Sequence, residues 1–222
     1  MSTPAPLAVV LEQNLSTERL GPYRRAAGGS LPDALRLYRW NAAISGALFE
    51  DLGVLEVVLR NALDAQLVAW HGKSYSVGEW WDDPGGVLEP ERHDDIADAV
   101  RRGWRTPQTR GRVLAELNFG FWRYLLSARY EHALWTPALR LAFPALKPAR
   151  RSLVGEKVDA LNRLRNRVAH HEPVHAHPLP ARHDELLFVV RAISPQVEDW
   201  LRRTSRFPSL LAQRPGQVRP PV

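Results

Sequence analysis

Residues 33–70 read DALRLYRWNAAISGALFEDLGVLEVVLRNALDAQLVAW, and this stretch decides the fold class. Leucines and aromatic residues recur in it at intervals of three and four, which is the spacing of one face of an α-helix. Ser30 precedes the stretch as a candidate N-cap, and Pro32 falls in the first turn, where proline is well tolerated. The pattern predicts one long helix, with Gly46 and Gly53 as the places where it can bend or divide.

Helical spacing returns in four further segments of the chain. They are residues 91–104, 110–130, 152–173 and 182–203. Loops rich in proline and glycine separate them, and no segment of four to eight residues alternates as a half-buried strand does. One of these loops carries Trp80 and Trp81, which we expect to fold back onto the helices. The chain is therefore expected to form an all-α helical bundle of five to seven helices.

The same signals suggest how the chain is organised. Residues 1–29 contain a short helical pattern and are predicted to form an N-terminal arm or short helix. Residues 30–205 are predicted to form a single helical domain, because the length suits one hydrophobic core. Residues 206–222 are rich in proline and are expected to form a loosely ordered tail.

Composition excludes several classes of site. The chain has 222 residues, 45% hydrophobic and 24% charged, as folded proteins have, and it contains no cysteine. Disulfide frameworks, thiolate zinc sites, iron–sulfur clusters and cysteine nucleophiles are thereby excluded. The sequence has neither an apolar run of about 18 residues nor the pattern of a secretory signal. We therefore expect a cytoplasmic protein that does not cross a membrane.

The charge balance is basic and rests on arginine. The chain has 30 basic and 24 acidic residues, a formal charge of +6 and an isoelectric point of about 10.1. Only Lys73, Lys147 and Lys157 are lysines, so the other basic residues are arginines. The planar guanidinium suits phosphate, which favours an RNA partner. A GC-rich genome produces the same excess of arginine, so charge alone does not decide between the two explanations.

Half of the eight histidines fall within residues 170–177. Residues 171–175 read HEPVH and match the motif H-E-x-x-H, in which one helix presents two histidines to zinc and the glutamate acts as a base. Pro173 lies inside the required turn, where a proline costs about 3 kcal/mol. A zinc hydrolase is therefore a remote alternative, and we expect neither a metal nor another cofactor.

Arg165 and His170 support a second hypothesis. Metal-independent cleavage of RNA needs a group that moves protons near neutral pH and a fixed cation for the phosphate oxygens, and histidine and arginine provide them. Asn166 precedes His170 by one helical turn, so its amide can hydrogen-bond the imidazole and select its tautomer. The simpler alternative is that both cations complement the dipole at the end of a helix.

The positions of these two side chains favour a dimer. At about 100° per residue, Arg165 lies about 140° around the helix from His170, so one helix aims the pair imperfectly. Two such helices that face each other across a two-fold axis would bring both pairs to one cleft.

Residues 163–177 resemble the R-x(4–6)-H motif of the HEPN superfamily, and in particular the Abi-like (abortive infection) family. In that family an arginine and an asparagine are followed, a few residues later, by a His-His pair. Further blocks in this chain look like those of the family, in the same order. They are Tyr38-Arg39-Trp40-Asn41, Leu55-Glu56-Val57-Val58-Leu59-Arg60-Asn61, Phe119-Gly120-Phe121-Trp122 with Trp135, and Trp200-Leu201-Arg202-Arg203. The resemblance covers about residues 30–205.

The resemblance implies an α-helical homodimer that cleaves RNA without a metal, as a toxin or a phage-defence effector, or a descendant that has lost catalysis. It implies that Arg165 and His170 are the catalytic pair and that Asn166 is the polar residue after the motif arginine. His171 then either assists catalysis or caps the helix. The alternative function is a non-catalytic RNA-binding or protein-interaction module, and an antitoxin protein is a further expected partner.

Four more residues are candidates for binding RNA. Arg60 or Asn61 is predicted to lean into the catalytic cleft from a neighbouring helix, and Arg163 and Arg167 are predicted to follow the phosphate backbone. The simpler alternative is that these side chains are solvated or form ion pairs on the helix surface.

Overall fold

The computed structural model describes residues 6–103 and 109–216, which form helices joined by turns and contain no β-strand. Ten α-helices lie in this part of the chain. They are α1 (Leu7–Leu15), α2 (Thr17–Ala26), α3 (Leu31–His71), α4 (Pro90–Gly103), α5 (Arg110–Glu116), α6 (Phe119–Leu125), α7 (Arg151–Ala169), α8 (Leu179–Ile193), α9 (Pro195–Thr204) and α10 (Phe207–Leu211). The predicted all-α class is confirmed, and the helices outnumber the five to seven expected. None of them is both long enough and apolar enough to span a bilayer.

The longest predicted helix is present and unbroken. α3 continues through both Gly46 and Gly53 as one helix. A single glycine costs a helix only about 1 kcal/mol, and buried leucines near both glycines outweigh that cost. The predicted cap is present as well, since the hydroxyl oxygen of Ser30 accepts a hydrogen bond of 3.4 Å from the amide of Asp33.

Two segments that were expected to be single helices are each divided. Residues 110–130 form α5 and α6, because the side chain of Asn118 accepts a hydrogen bond from the amide of Phe121 and starts a new helix. Residues 182–203 fall in α8 and α9, which are separated at Ser194. The hydroxyl of Ser194 accepts a bond from the amide of Val197, and Pro195 occupies the first position of α9. Both breaks carry ordinary N-cap signals.

The described chain divides into two compact units. The first unit contains residues 6–50, 164–179 and 204–216, and the second contains residues 51–103, 109–163 and 180–203.

Both predicted ends of the chain take part in the first unit. Residues 7–26 form two helices, and Leu20 and Tyr23 on the second of them are fully buried. The segment predicted to be a loosely ordered tail begins with α10, where Phe207 is buried. The indole of Trp40 donates a hydrogen bond of 2.7 Å to the carbonyl of Leu210. Residues 217–222 lie outside the described residues.

In the second unit, Trp80 and Trp81 are buried, as the sequence predicted. The indole of Trp80 donates a hydrogen bond of 2.7 Å to the carboxylate of Asp64. The guanidinium of Arg110 binds both oxygens of the same carboxylate, at 2.8 and 2.6 Å, and lies over the ring of Trp81. The Asp64 carboxylate thus holds both the tryptophan loop and the start of α5 against α3.

Candidate functional site

The predicted catalytic segment lies at the carboxyl end of α7, which closes in a Schellman motif. The amide of Glu172 donates a hydrogen bond of 2.8 Å to the carbonyl of Arg167, and the amide of His171 donates one of 3.0 Å to the carbonyl of Val168. His171 takes a φ of +55°, the left-handed position that glycine usually occupies in this motif. The chain therefore leaves the helix sharply after His170.

Two further contacts hold this turn. Arg19 on α2 donates a hydrogen bond from its guanidinium to the carbonyl oxygen of His171. The guanidinium of Arg167 and the carboxylate of Glu172 form an ion pair of 2.9 Å across the turn. The backbone of His171 thus caps the helix, which is one of the two roles that the sequence left open for this residue.

The predicted catalytic residues divide between two environments. His170 and Asn166 are both exposed, and the amide of His170 donates a hydrogen bond of 2.9 Å to the carbonyl of Asn166. Helical geometry therefore continues through His170, which brings these two residues together one turn apart. Arg165 is half-buried and lies on another side of α7, as the spacing requires.

The segment that matches H-E-x-x-H does not form a zinc site. α7 ends before it, so its two histidines do not share a helical face. His171 is exposed, whereas His175 is 6% exposed. Within residues 6–103 and 109–216, no three His, Asp or Glu side chains are grouped so that they could hold a metal ion. These residues do not fit the arrangement that the motif requires.

The four predicted RNA-binding residues lie in different places. Arg163 pairs with the carboxylate of Asp159, and Arg167 makes the ion pair described above. Arg60 is half-buried and Asn61 is exposed, both on the part of α3 that belongs to the second unit. Their contribution to a shared cleft stays a prediction.

Beside the end of α7, the first unit contains a cleft of about 650 Å³ that the sequence did not predict. Three segments form it: one face of α2, one face of α3, and the last residues of α7 with the turn that follows them. The lining residues are Arg19, Tyr23, Tyr38, Asn41, Ala42, Ser45, Gly46, Phe49, Val168, Ala169 and His171. His170 is not among the lining residues, but it lies between two of them, Ala169 and His171, in the sequence.

Two of the lining residues carry a buried hydroxyl that has no hydrogen-bond partner in the described part of the chain. They are Tyr23, with its phenol, and Ser45. Burial raises the pKa of Tyr23 to about 12, since the phenolate would lose its hydration. Asn41 differs, because its Oδ1 accepts hydrogen bonds from the amides of Val174 and His175, at 2.8 and 2.9 Å.

The ring of Tyr23 also forms the wall behind the cleft. It meets Tyr38 edge to face, with 5.2 Å between ring centroids, and it lies 4.8 Å from the imidazole of His175. Burial lowers the pKa of His175, and the nearby charges of Arg214 and His177 lower it further. Both effects favour the neutral form of the His175 imidazole.

A signal for this cleft was present in the sequence. Tyr38, Asn41, Ser45 and Phe49 recur at intervals of three and four on the predicted long helix. Asn41 and Ser45 are short polar residues on a face that otherwise carries apolar and aromatic side chains. Buried polar groups need hydrogen-bond partners, so these two residues indicate contact with a polar ligand or with a buried backbone amide. The residues that complete the cleft come from α2 and α7, and periodicity alone does not reveal such partners.

Comparisons of this chain with family models, with curated proteins and with solved structures found no match.

Proposed function

We propose that this protein is a metal-independent endoribonuclease that acts as a homodimer, with His170 and Arg165 as its catalytic residues. The observation that carries the proposal is the end of α7, where a hydrogen-bonded turn holds an exposed imidazole one helical turn after Asn166. Histidine is the side chain that exchanges protons most readily near neutral pH, and an amide one turn away can fix its tautomer.

The proposed reaction uses the substrate's own nucleophile. The ribose 2′-oxygen forms a bond to the adjacent phosphorus as its proton passes to His170, and the bond from phosphorus to the 5′-oxygen breaks. The leaving 5′-oxygen takes a proton from an imidazolium, which yields a cyclic phosphate and a 5′-hydroxyl. Arg165 stabilises the charge that develops on the phosphate oxygens.

A two-fold dimer supports this chemistry better than one protomer does. Within one helix, Arg165 and His170 point about 140° apart. An isologous contact between the ends of two α7 helices places both pairs around one phosphate, so that one imidazole can accept a proton while the other donates one. We propose that such an enzyme acts in the cytoplasm as a toxin or phage-defence effector, held in check by an antitoxin protein.

Cleavage of RNA by three variants tests the proposal. We expect His170→Ala and Arg165→Ala to lower the cleavage rate at least about 100-fold, the usual contribution of a general acid–base group. His132→Ala removes an exposed histidine of the second unit and serves as the matched control. A chelator is expected to leave the rate unchanged, and light scattering is expected to report a dimer.

The same experiment separates the alternative functions. If His170→Ala remains folded and cleaves RNA as the unmodified protein does, His170 is not catalytic and the proposal fails. If the unmodified protein binds RNA and never cleaves it, the chain is a non-catalytic RNA-binding module.

A further inference from the structure

We propose that the cleft beside His170 binds one unpaired nucleobase, with the hydroxyls of Tyr23 and Ser45 at the edge of the base and Arg19 at its phosphate. The residues of the cleft are the evidence that the ligand is a nucleobase. The further statement that this base belongs to the RNA substrate rests on the proposed function.

The first argument is the pair of buried hydroxyls. Tyr23 is 0% exposed, and its phenol and the hydroxyl of Ser45 both lack a hydrogen-bond partner among the described residues. A buried polar atom without a partner costs free energy, and native proteins retain few of them. Each hydroxyl can both donate and accept, which matches the mixed edge of a nucleobase.

The second argument is the shape and the apolar surface of the cleft. Tyr38 and Phe49 line it, and Phe49 is 48% exposed, so its ring is accessible to a ligand. Unpaired bases stack on aromatic side chains of this kind. The volume of about 650 Å³ lies within the range of small-ligand sites, about 300–1,000 Å³, and leaves room for a base with its sugar.

The third argument is charge. Arg19 is the cationic residue of the cleft, and no Asp or Glu is found among the described residues that line it. The guanidinium of Arg19 already donates one hydrogen bond to the carbonyl oxygen of His171. Its remaining N–H groups can donate hydrogen bonds to a phosphate. The Oδ1 of Asn41 is occupied by two backbone amides, so this residue offers its Nδ2 as a donor to a base carbonyl.

Removal of single hydroxyls tests the proposal. Binding of fluorescein-labelled 12-nucleotide single-stranded RNAs, one for each base, is measured by anisotropy in a His170→Ala background that prevents cleavage. We expect Tyr23→Phe and Ser45→Ala each to raise the Kd for at least one of these RNAs about tenfold. Tyr75→Phe and Ser152→Ala remove exposed hydroxyls and are the matched controls. Thermal unfolding verifies that each variant is folded.

Free AMP, GMP, CMP and UMP, measured by titration calorimetry, distinguish the two sources of the base. If a mononucleotide binds and Tyr23→Phe weakens it, the site is confirmed and its ligand is a free nucleotide. If only RNA binds and the same variant weakens it, the ligand is a base within RNA. If Tyr23→Phe and Ser45→Ala change neither binding, or if neither probe binds the unmodified cleft, the proposal is wrong.

Kinetics separate this proposal from the nuclease proposal. In the catalytically intact protein, Tyr23→Phe and Ser45→Ala are expected to raise KM about tenfold and to leave kcat within about twofold, whereas His170→Ala lowers kcat. If the protein binds RNA through the cleft and does not cleave it, the nucleobase site is supported and the nuclease proposal fails. If the protein cleaves RNA and both hydroxyl variants have an unchanged KM, the nuclease proposal is supported and the nucleobase site fails.

Discussion

The side-chain oxygen of Asn41 accepts a hydrogen bond of 2.9 Å from the backbone amide of His175, 134 residues later in the chain. The same oxygen accepts one of 2.8 Å from the amide of Val174. Residues 171–178 belong to no helix, so the backbone amides of Val174 and His175 need hydrogen-bond acceptors from another part of the chain. The buried Asn41 of α3 provides the acceptor for both. This single side chain ties the segment that follows the proposed catalytic turn to the long helix.

Replacement of Asn41 by leucine is expected to lower the free energy of unfolding by about 3 kcal/mol, because it leaves two buried amides without an acceptor. Asn41→Asp keeps an oxygen in the same place and is expected to cost less. Urea denaturation of both variants measures the difference. Equal stabilities of Asn41→Leu and the unmodified protein would show that these hydrogen bonds contribute nothing.

His175 makes stability depend on pH in the acidic range. Burial lowers its pKa below the ordinary value of about 6.5, so the unfolded chain binds a proton at pH values where the folded chain does not. The free energy of unfolding is therefore expected to be fully present above about pH 7 and to fall as the pH drops through 6.5. Urea denaturation between pH 5 and 8, each at the same salt concentration, measures this slope.

Two glutamine variants assign that slope to one residue. His175→Gln removes the titrating group, so its stability is expected to depend less on pH. His132→Gln removes an exposed histidine and is expected to leave the slope unchanged. A slope that survives in His175→Gln would assign the acid sensitivity to another group.

Gly155 on α7 allows a close approach of backbone in the second unit. A Cβ at this position would lie 2.9 Å from the carbonyl oxygen of Leu126, a distance that real Cβ atoms do not tolerate. We expect Gly155→Ala to lower the free energy of unfolding by about 1–3 kcal/mol, the usual cost of overpacking. Gly53→Ala is the control, because nothing lies within 4 Å of its added Cβ, and it is expected to stabilise the protein by up to about 1 kcal/mol. Thermal or urea unfolding measures both variants. If the free energy of unfolding changes in the same direction in both, the explanation by overpacking is wrong.

His171 separates helix capping from catalysis. Its φ of +55° is costly for a residue with a side chain, so His171→Gly is expected to raise the free energy of unfolding by about 0.5–1 kcal/mol. His171→Val is expected to lower it by a similar or larger amount, because a β-branched residue resists the left-handed region. If His171 only caps the helix, His171→Gly retains the kcat of RNA cleavage. A loss of kcat above tenfold would show that its imidazole takes part in the reaction.

Much of the fold could be predicted because its information is local. The spacing of leucines over residues 33–70 predicted α3 to within two residues at each end, and Ser30 was correctly identified as its cap. The two missed breaks, at Asn118 and Ser194, also have local causes, since both residues are N-caps that apolar periodicity had obscured. The segment predicted to be a loosely ordered tail begins with α10, which contributes the buried Phe207 and accepts the hydrogen bond from Trp40 at Leu210.

The sequence by itself determined that this chain is all helical, where its longest helix lies, and that Arg165, Asn166 and His170 follow one another near the end of α7. Only the tertiary structure decided that the described residues form two units, that His171 closes α7 in a left-handed turn, and that Tyr23, Ser45 and Arg19 line one cleft. The physical reason is that the pattern of apolar residues encodes which face of each helix is buried. It does not encode which distant segment covers that face, because this depends on packing between residues far apart in the chain.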